Sequence, residues 1–245
     1  MSLENITSNT VLPSVRTEFK LTTADGHSLV AELAMPTQGT PAATLICLHP
    51  LPTHGGFMDS HVLRKAANRL PFLANVAVLR FNTRGTESPH GKSTGEFDGG
   101  QLEQLDLESA VAFAVQNNLP NRWLLGWSFG TELALKYGWN QDVNGAILLS
   151  PPLHRTSQAE LERWNHVDKR VIGLIPEHDT YLTPDQAAPA FAIMSKFEQI
   201  DVADAKHLWV GEPYVQRVLD EIVNVVAPNS FPLPTKVASS VAIQD

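Results

Sequence analysis

The segment Leu124-Leu125-Gly126-Trp127-Ser128-Phe129-Gly130-Thr131 constrains this chain more than any other. A short apolar strand runs into Gly-x-Ser-x-Gly, and a helical pattern, Thr131 to Tyr137, follows at once. A strand-to-helix turn that sharp leaves no room for bulky side chains, so Gly126 and Gly130 keep the neighbouring backbone clear. It lifts the Ser128 hydroxyl above the C-terminal edge of a sheet. It also sets that hydroxyl at the positive end of a helix, where a developing anion is favoured. The bare pattern also occurs in ordinary loops, so its meaning depends on the strand before, the helix after and partners downstream.

Around this turn, short β-type runs alternate with helical patterns, which indicates a mostly parallel α/β sheet covered on both faces. Phe19 to Thr22 and Leu29 to Met35 flank the turn signal Ala24-Asp25-Gly26-His27 and read as an antiparallel hairpin. Ala43 to Leu48 is continuously apolar, as a strand buried on both faces should be. Val62 to Leu70 reads as a helix and Val76 to Phe81 as a strand. Leu102, Leu105, Leu107, Val111 and Val115 recur at helical spacing. Ala146 to Leu149, Val171 to Ile175 and Phe197 to Val202 are further strands, and Tyr214 to Val226 is a last helix. Residues 17–226 are therefore expected to form one domain, and 227–245 a loose or surface-docked tail.

At 245 residues the chain can bury a sizeable core. A net charge of −8 with no Lys/Arg cluster argues against nucleic acid and against anionic membrane as partners. No stretch approaches the ~20 apolar residues that span a bilayer. The start Met1-Ser2-Leu3-Glu4-Asn5 lacks a basic segment leading into an apolar run, so no signal peptide is expected. The single cysteine, Cys47, sits in a buried strand pattern and suits a reducing, cytoplasmic setting.

A serine hydroxyl needs a base within hydrogen-bond reach, itself oriented by a third group. In an α/β sheet those groups belong in loops after strand C-termini. The run ending at Ile175 opens into Pro176-Glu177-His178-Asp179, where Asp179 is the candidate acid and Glu177 its alternative. The run ending at Val202 opens into Ala203-Asp204-Ala205-Lys206-His207, where His207 is the candidate base. Asp179 could instead only cap a helix, because Thr183-Pro184 follows. An oxyanion needs backbone donors. One is expected from Phe129 and the other from the loop His49-Pro50-Leu51-Pro52-Thr53-His54-Gly55-Gly56, where prolines leave the Leu51 N–H between them. His49 is expected to hold that loop rather than transfer protons. His54, His61, His90, His154 and His166 read as structural or solvated. His49, His54 and His178 lack familiar metal-ligand spacing, so neither metal nor cofactor is expected. Arg80 and Arg84 are expected to brace a loop through carboxylates such as Glu87, Glu96 or Asp98, with an acidic substrate as the other reading.

Taken together, these motifs make the chain resemble the α/β-hydrolase superfamily across roughly residues 17–226. More narrowly it resembles small bacterial hydrolases related to dienelactone hydrolases. The likeness rests on Gly55-Gly56-Phe57-Met58-Asp59 after the His-Pro loop, on Arg80-Phe81-Asn82-Thr83-Arg84-Gly85, and on the Gly-x-Ser-x-Gly that follows. Dienelactone hydrolases proper use a cysteine nucleophile, so their substrate does not carry over to a chain with Ser128. The loop often reads His-Pro-His-Pro in such relatives, whereas Leu51 stands between the prolines here.

Only Ser150 to Arg170 could cover the serine, with a single helix at Ala159 to His166. An open pocket with little apolar wall favours short acyl groups over long lipids. The expectation is a serine hydrolase acting on small carboxylic esters, with Ser128, Asp179 and His207 as triad and Leu51 and Phe129 as oxyanion donors. An aminopeptidase or thioesterase would use the same machinery, and a non-catalytic binding protein of this fold is the remaining alternative. A homodimer stays open.

Overall fold

The computed structural model describes residues 2–241. Eight strands form the central sheet: β1 Val15–Thr22, β2 Ser28–Met35, β3 Ala43–Leu48, β4 Val76–Phe81, β5 Arg122–Trp127, β6 Gly145–Leu149, β7 Arg170–His178 and β8 Phe197–Lys206. Their spatial order is β8-β7-β6-β5-β3-β4-β2-β1. β1 and β2 form the expected hairpin, and β2 also pairs antiparallel with β4. Every pairing from β4 across to β8 is parallel.

The apolar run of β3 is sorted by the pleat, since successive side chains face opposite sides of a sheet. Ala43, Leu45 and Cys47 enter one core cluster; Ile46 and Leu48 enter the other. On the first face lie α1 (His61–Ala74) and, later in the chain, α6 (Glu212–Val226). The second face is covered by α2 (Glu103–Gln116), α3 (Phe129–Tyr137), α4 (Gln158–Glu162) and α5 (Pro184–Phe191). Leu45, Ile46, Leu48 and Leu125 are fully buried, each such side chain contributing about 1.5–3 kcal/mol. Among the described residues no helix is long and apolar enough to cross a membrane.

Three differences from the sequence reading bear on the site. Strands β7 and β8 do not stop at Ile175 and Val202; they continue as a paired ribbon to His178 and Lys206, with a register shift between Pro176 and His178. α3 begins at Phe129, directly after Ser128, rather than at Thr131. The cover expected at Ala159 to His166 is the short α4 followed by a 3-10 turn over Arg163–His166. Between β6 and β7 there is no inserted lid.

Two segments far apart in sequence are joined on one side of the fold. Leu3–Asn5 pairs antiparallel with Lys236–Ala238, and Ile6, Leu12 and Val237 pack together. The fully buried Arg69 donates to the Thr7 carbonyl and to Glu212. The last part of the tail read from sequence, 242–245, lies outside the described residues.

Candidate active site

Ser128 stands between β5 and α3 with φ 51° and ψ −116°, a conformation that costs a non-glycine residue. Its neighbours hold it there. The Ser128 N–H donates to Leu149 O at 2.9 Å, and the Ser128 carbonyl accepts from the Thr131 N–H at 2.8 Å. A Cβ on Gly126 would lie 2.6 Å from Gly130 O, and one on Gly130 would lie 2.0 Å from Leu48 O. Both glycines are required by close backbone approach, and the second contact seats the end of β3 beside the turn.

From this turn a hydrogen-bonded row extends. Ser128 Oγ lies 2.9 Å from His207 Nε2. His207 Nδ1 lies 2.9 and 3.1 Å from the two carboxylate oxygens of Asp179. Because the carboxylate can only accept there, Nδ1 carries the proton and Nε2 is left to accept from the serine hydroxyl. The side chains of His207 and Asp179 are 11% and 2% exposed, so little water competes for these bonds. Both residues directly follow the ends of β7 and β8, and the ribbon register brings them together. The His207 carbonyl accepts from Trp127 Nε1 and from Ser150 Oγ, which fixes its backbone. Tyr181 presents itself edge-on to the imidazole, with ring centroids 4.6 Å apart.

The alternative acid goes elsewhere. Glu177 is exposed on the ribbon and accepts the Asp204 N–H at 2.8 Å. The capping role weighed for Asp179 belongs to Thr183 and Gln186, which form a capping box at the start of α5. Asp179 also accepts the Tyr181 N–H, which steadies the loop without occupying a helix end.

Leu51 and Phe129 line one cavity of about 400 Å³ together with Ser128, Glu132, Arg155 and His207. His49 holds the loop beneath Leu51: its Nδ1 donates to Pro50 O at 2.7 Å, and its Nε2 accepts from the Thr83 N–H at 3.1 Å. Burial pushes the His49 imidazole down to about 4, so it is neutral at physiological pH. In a trans peptide C=O and N–H point to opposite sides, so anchoring Pro50 O turns the Leu51 N–H away from His49. That N–H makes no hydrogen bond with the described residues. The Phe129 N–H opens α3 and is free of an intrahelical partner. Both ring nitrogens of His49 are engaged within the protein, so it has none left for a metal. The ligand atoms of Glu177, His178 and Asp204 lie within 4.8 Å of one another, all on exposed residues outside this cavity.

The two arginines do brace the fold, through partners other than those expected. Arg80 bonds Glu32 at 2.5 Å, Asp59 and the Met58 carbonyl; Arg84 bonds Asp106 at 2.8 Å and Asp25 at 2.9 Å. Glu87, Glu96 and Asp98 are exposed. Among the cavity residues not singled out from sequence are two that bond each other, Glu132 and Arg155. Glu132, one helical turn after Ser128, is fully buried, and Arg155 bonds its carboxylate. The i to i+4 step from Ser128 was the available signal.

Comparison with known proteins agrees with this architecture. No family model matches the chain. Over 117 residues it is 34% identical to an uncharacterized protein of Rickettsia prowazekii, covering 46% of this chain and 47% of that protein. The match thus spans about half the length of that relative. A lidless α/β serine hydrolase from Xanthomonas campestris superposes with a TM-score of 0.72 at 24% identity, over 90% of this chain and 99% of that one. An α/β serine hydrolase homologue from Coxiella burnetii gives 0.71 at 24% identity, over 86% and 97%. An esterase from Pyrococcus furiosus gives 0.68 at 19% identity, over 87% and 94%. The chain has the α/β-hydrolase fold, in its lidless form.

Proposed function

We propose that this protein is a serine hydrolase of small, short-acyl carboxylic esters, working through an acyl-enzyme. The observation that carries the reading is the row Ser128–His207–Asp179, with every hydrogen bond within 3.1 Å and with Ser128 and His207 lining a cavity. In the first step Ser128 Oγ bonds to the ester carbonyl carbon while His207 Nε2 takes the hydroxyl proton. The carbonyl electron pair moves to oxygen, where the Leu51 and Phe129 N–H groups receive it. On collapse the C–O bond to the alcohol breaks, and His207 returns the proton to the departing oxygen. Water then repeats the sequence on the acyl-enzyme and releases the carboxylic acid. Asp179 keeps the imidazole in the required tautomer and faces the imidazolium that forms.

Short acyl groups fit the absence of a lid and the modest cavity. An aminopeptidase would need a free carboxylate near Ser128 to hold the substrate amine. Glu132 is at the right place, but both its oxygens are taken by Arg155. A thioester would meet the same machinery as an ester.

The test is a series of p-nitrophenyl esters, from acetate to dodecanoate, with aminoacyl amides and acyl thioesters beside them. Esters of short acids should turn over fastest. Ser128→Ala should lose about 10⁶-fold in kcat, the scale seen when such a nucleophile is removed. Hydrolysis that survives in Ser128→Ala, or a marked preference for dodecanoate or the amides, would count against the reading.

A further inference from the structure

On the serine-hydrolase reading, the three groups on the tetrahedral carbon have three different walls to meet. The alcohol leaves on the side of His207, which gives it a proton and is flanked by Tyr181 and Leu208. Negative oxygen faces Leu51 and Phe129. Among the other residues that line the cavity, Glu132, Pro152 and Arg155 are left as a wall for the acyl chain on this reading. That wall is built around a held cation.

Glu132 is fully buried, and a buried carboxylate without a partner is costly. Arg155 supplies that partner twice, through its backbone N–H and through Nη1, which is 3.2 Å from Oε2. The guanidinium also lies over the Phe129 ring, 5.7 Å from its centroid. Its side chain remains 34% exposed, and its Nε and Nη2 donors make no hydrogen bond with the described residues. The backbone bends to put it there: Leu153 is held at φ 52° and Ser150 at φ 51°. Non-glycine residues in that region cost energy and concentrate at functional sites. An arginine that lines the cavity, held through Nη1 and with Nε and Nη2 left without partners among the described residues, offers a pair of donors that matches the two oxygens of a carboxylate.

We infer that Arg155, positioned by Glu132, is a specificity residue that receives an anionic group on the acyl part of the substrate, so that the preferred esters are half-esters of small dicarboxylic acids. Glu132 neutralises part of the Arg155 charge, so its contribution is direct hydrogen bonding at short range rather than a long-range field.

The experiment compares monoethyl succinate with ethyl 4-methylpentanoate, in which an isopropyl group replaces the carboxylate, by ethanol release. The native protein should favour the half-ester by about tenfold in kcat/KM, mostly through KM, since a partly exposed charged contact is worth less than a buried one. Arg155→Gln should bring the ratio close to one. Because that change strands the Glu132 carboxylate, the double variant Arg155→Gln/Glu132→Gln is measured as well and should give the same ratio. Acetoxyacetate, which carries its carboxylate on the alcohol side, should gain nothing over isobutyl acetate. Equal rates on the first pair in the native protein, a ratio unchanged in both variants, or a preference for acetoxyacetate would each overturn the inference while leaving the esterase reading intact. If Ser128 supports no ester hydrolysis at all, both fall together.

Discussion

Gly130 and Leu48 meet backbone to backbone, so closely that a Cβ on residue 130 would stand 2.0 Å from the Leu48 carbonyl oxygen. This contact joins the first turn of α3, and thus the Phe129 N–H, to the strand end from which the Leu51 loop departs. Gly130→Ala must push them apart. Overpacking of this kind typically costs about 1–3 kcal/mol. A displacement of about 1 Å between catalytic groups can cost about 100-fold in rate. Thermal unfolding and short-ester hydrolysis should both register the change, with the rate suffering more. An alanine variant of normal Tm and normal rate would mean that the two backbones are not seated together.

The two neighbouring acids can be told apart kinetically. Asp179 spans His207 Nδ1 with both oxygens, while among the described residues Glu177 reaches only the Asp204 N–H. Asp179→Asn should leave the fold intact yet favour the wrong imidazole tautomer, costing as much as ~10⁴-fold in kcat. Glu177→Gln should cost less than about tenfold, the weight of one exposed hydrogen bond. Circular dichroism at the assay pH establishes that both are folded. A dead Glu177→Gln beside an active Asp179→Asn would exchange the roles.

Acid should weaken the fold through His49. Its imidazole sits at about 4 in the folded protein against an ordinary value of 6.5, because burial disfavours the charged form. Above pH 6.5 it is neutral in both states and its contribution is complete. Between 6.5 and 4 the unfolded chain takes a proton that the folded one refuses, so stability falls as pH falls. One such proton corresponds to about 1.4 kcal/mol per pH unit, or roughly 3 kcal/mol across the interval. Urea unfolding of the native protein from pH 7 to 4.5 should therefore be steeper in pH than that of His49→Gln. Parallel curves would show that His49 titrates alike in both states.

Much of this arrangement was legible in the sequence, for identifiable reasons. Continuous apolar runs such as Ala43 to Leu48 and Ala146 to Leu149 mark strands buried on both faces, and strand ends then locate Ser128, Asp179 and His207. The ribbon over Pro176–His178 and Ala203–Lys206 was not legible, because its side chains are mostly exposed and only backbone pairing defines it. Of α5 only the start at Thr183-Pro184 was legible, because proline suits the first turn of a helix, whereas Pro189 inside it masks the helical pattern. The partners of Arg80 and Arg84 come from distant segments: Glu32 and Asp25 lie in or beside the hairpin, Asp106 on α2. Charge alone does not say which acid the fold brings near. Glu132 and Arg155 escaped for the same reason, their meeting being set by the course of the loop after β6.

The central claim is that Ser128 is a nucleophile activated by His207, and covalent capture measures it most directly. A fluorophosphonate should label the native protein once, and peptide mass spectrometry should find the adduct on Ser128. Ser128→Ala should take up none, and Asp179→Asn should label far more slowly. An adduct on another residue, undiminished labelling of Ser128→Ala, or no labelling of the folded native protein would contradict the assignment.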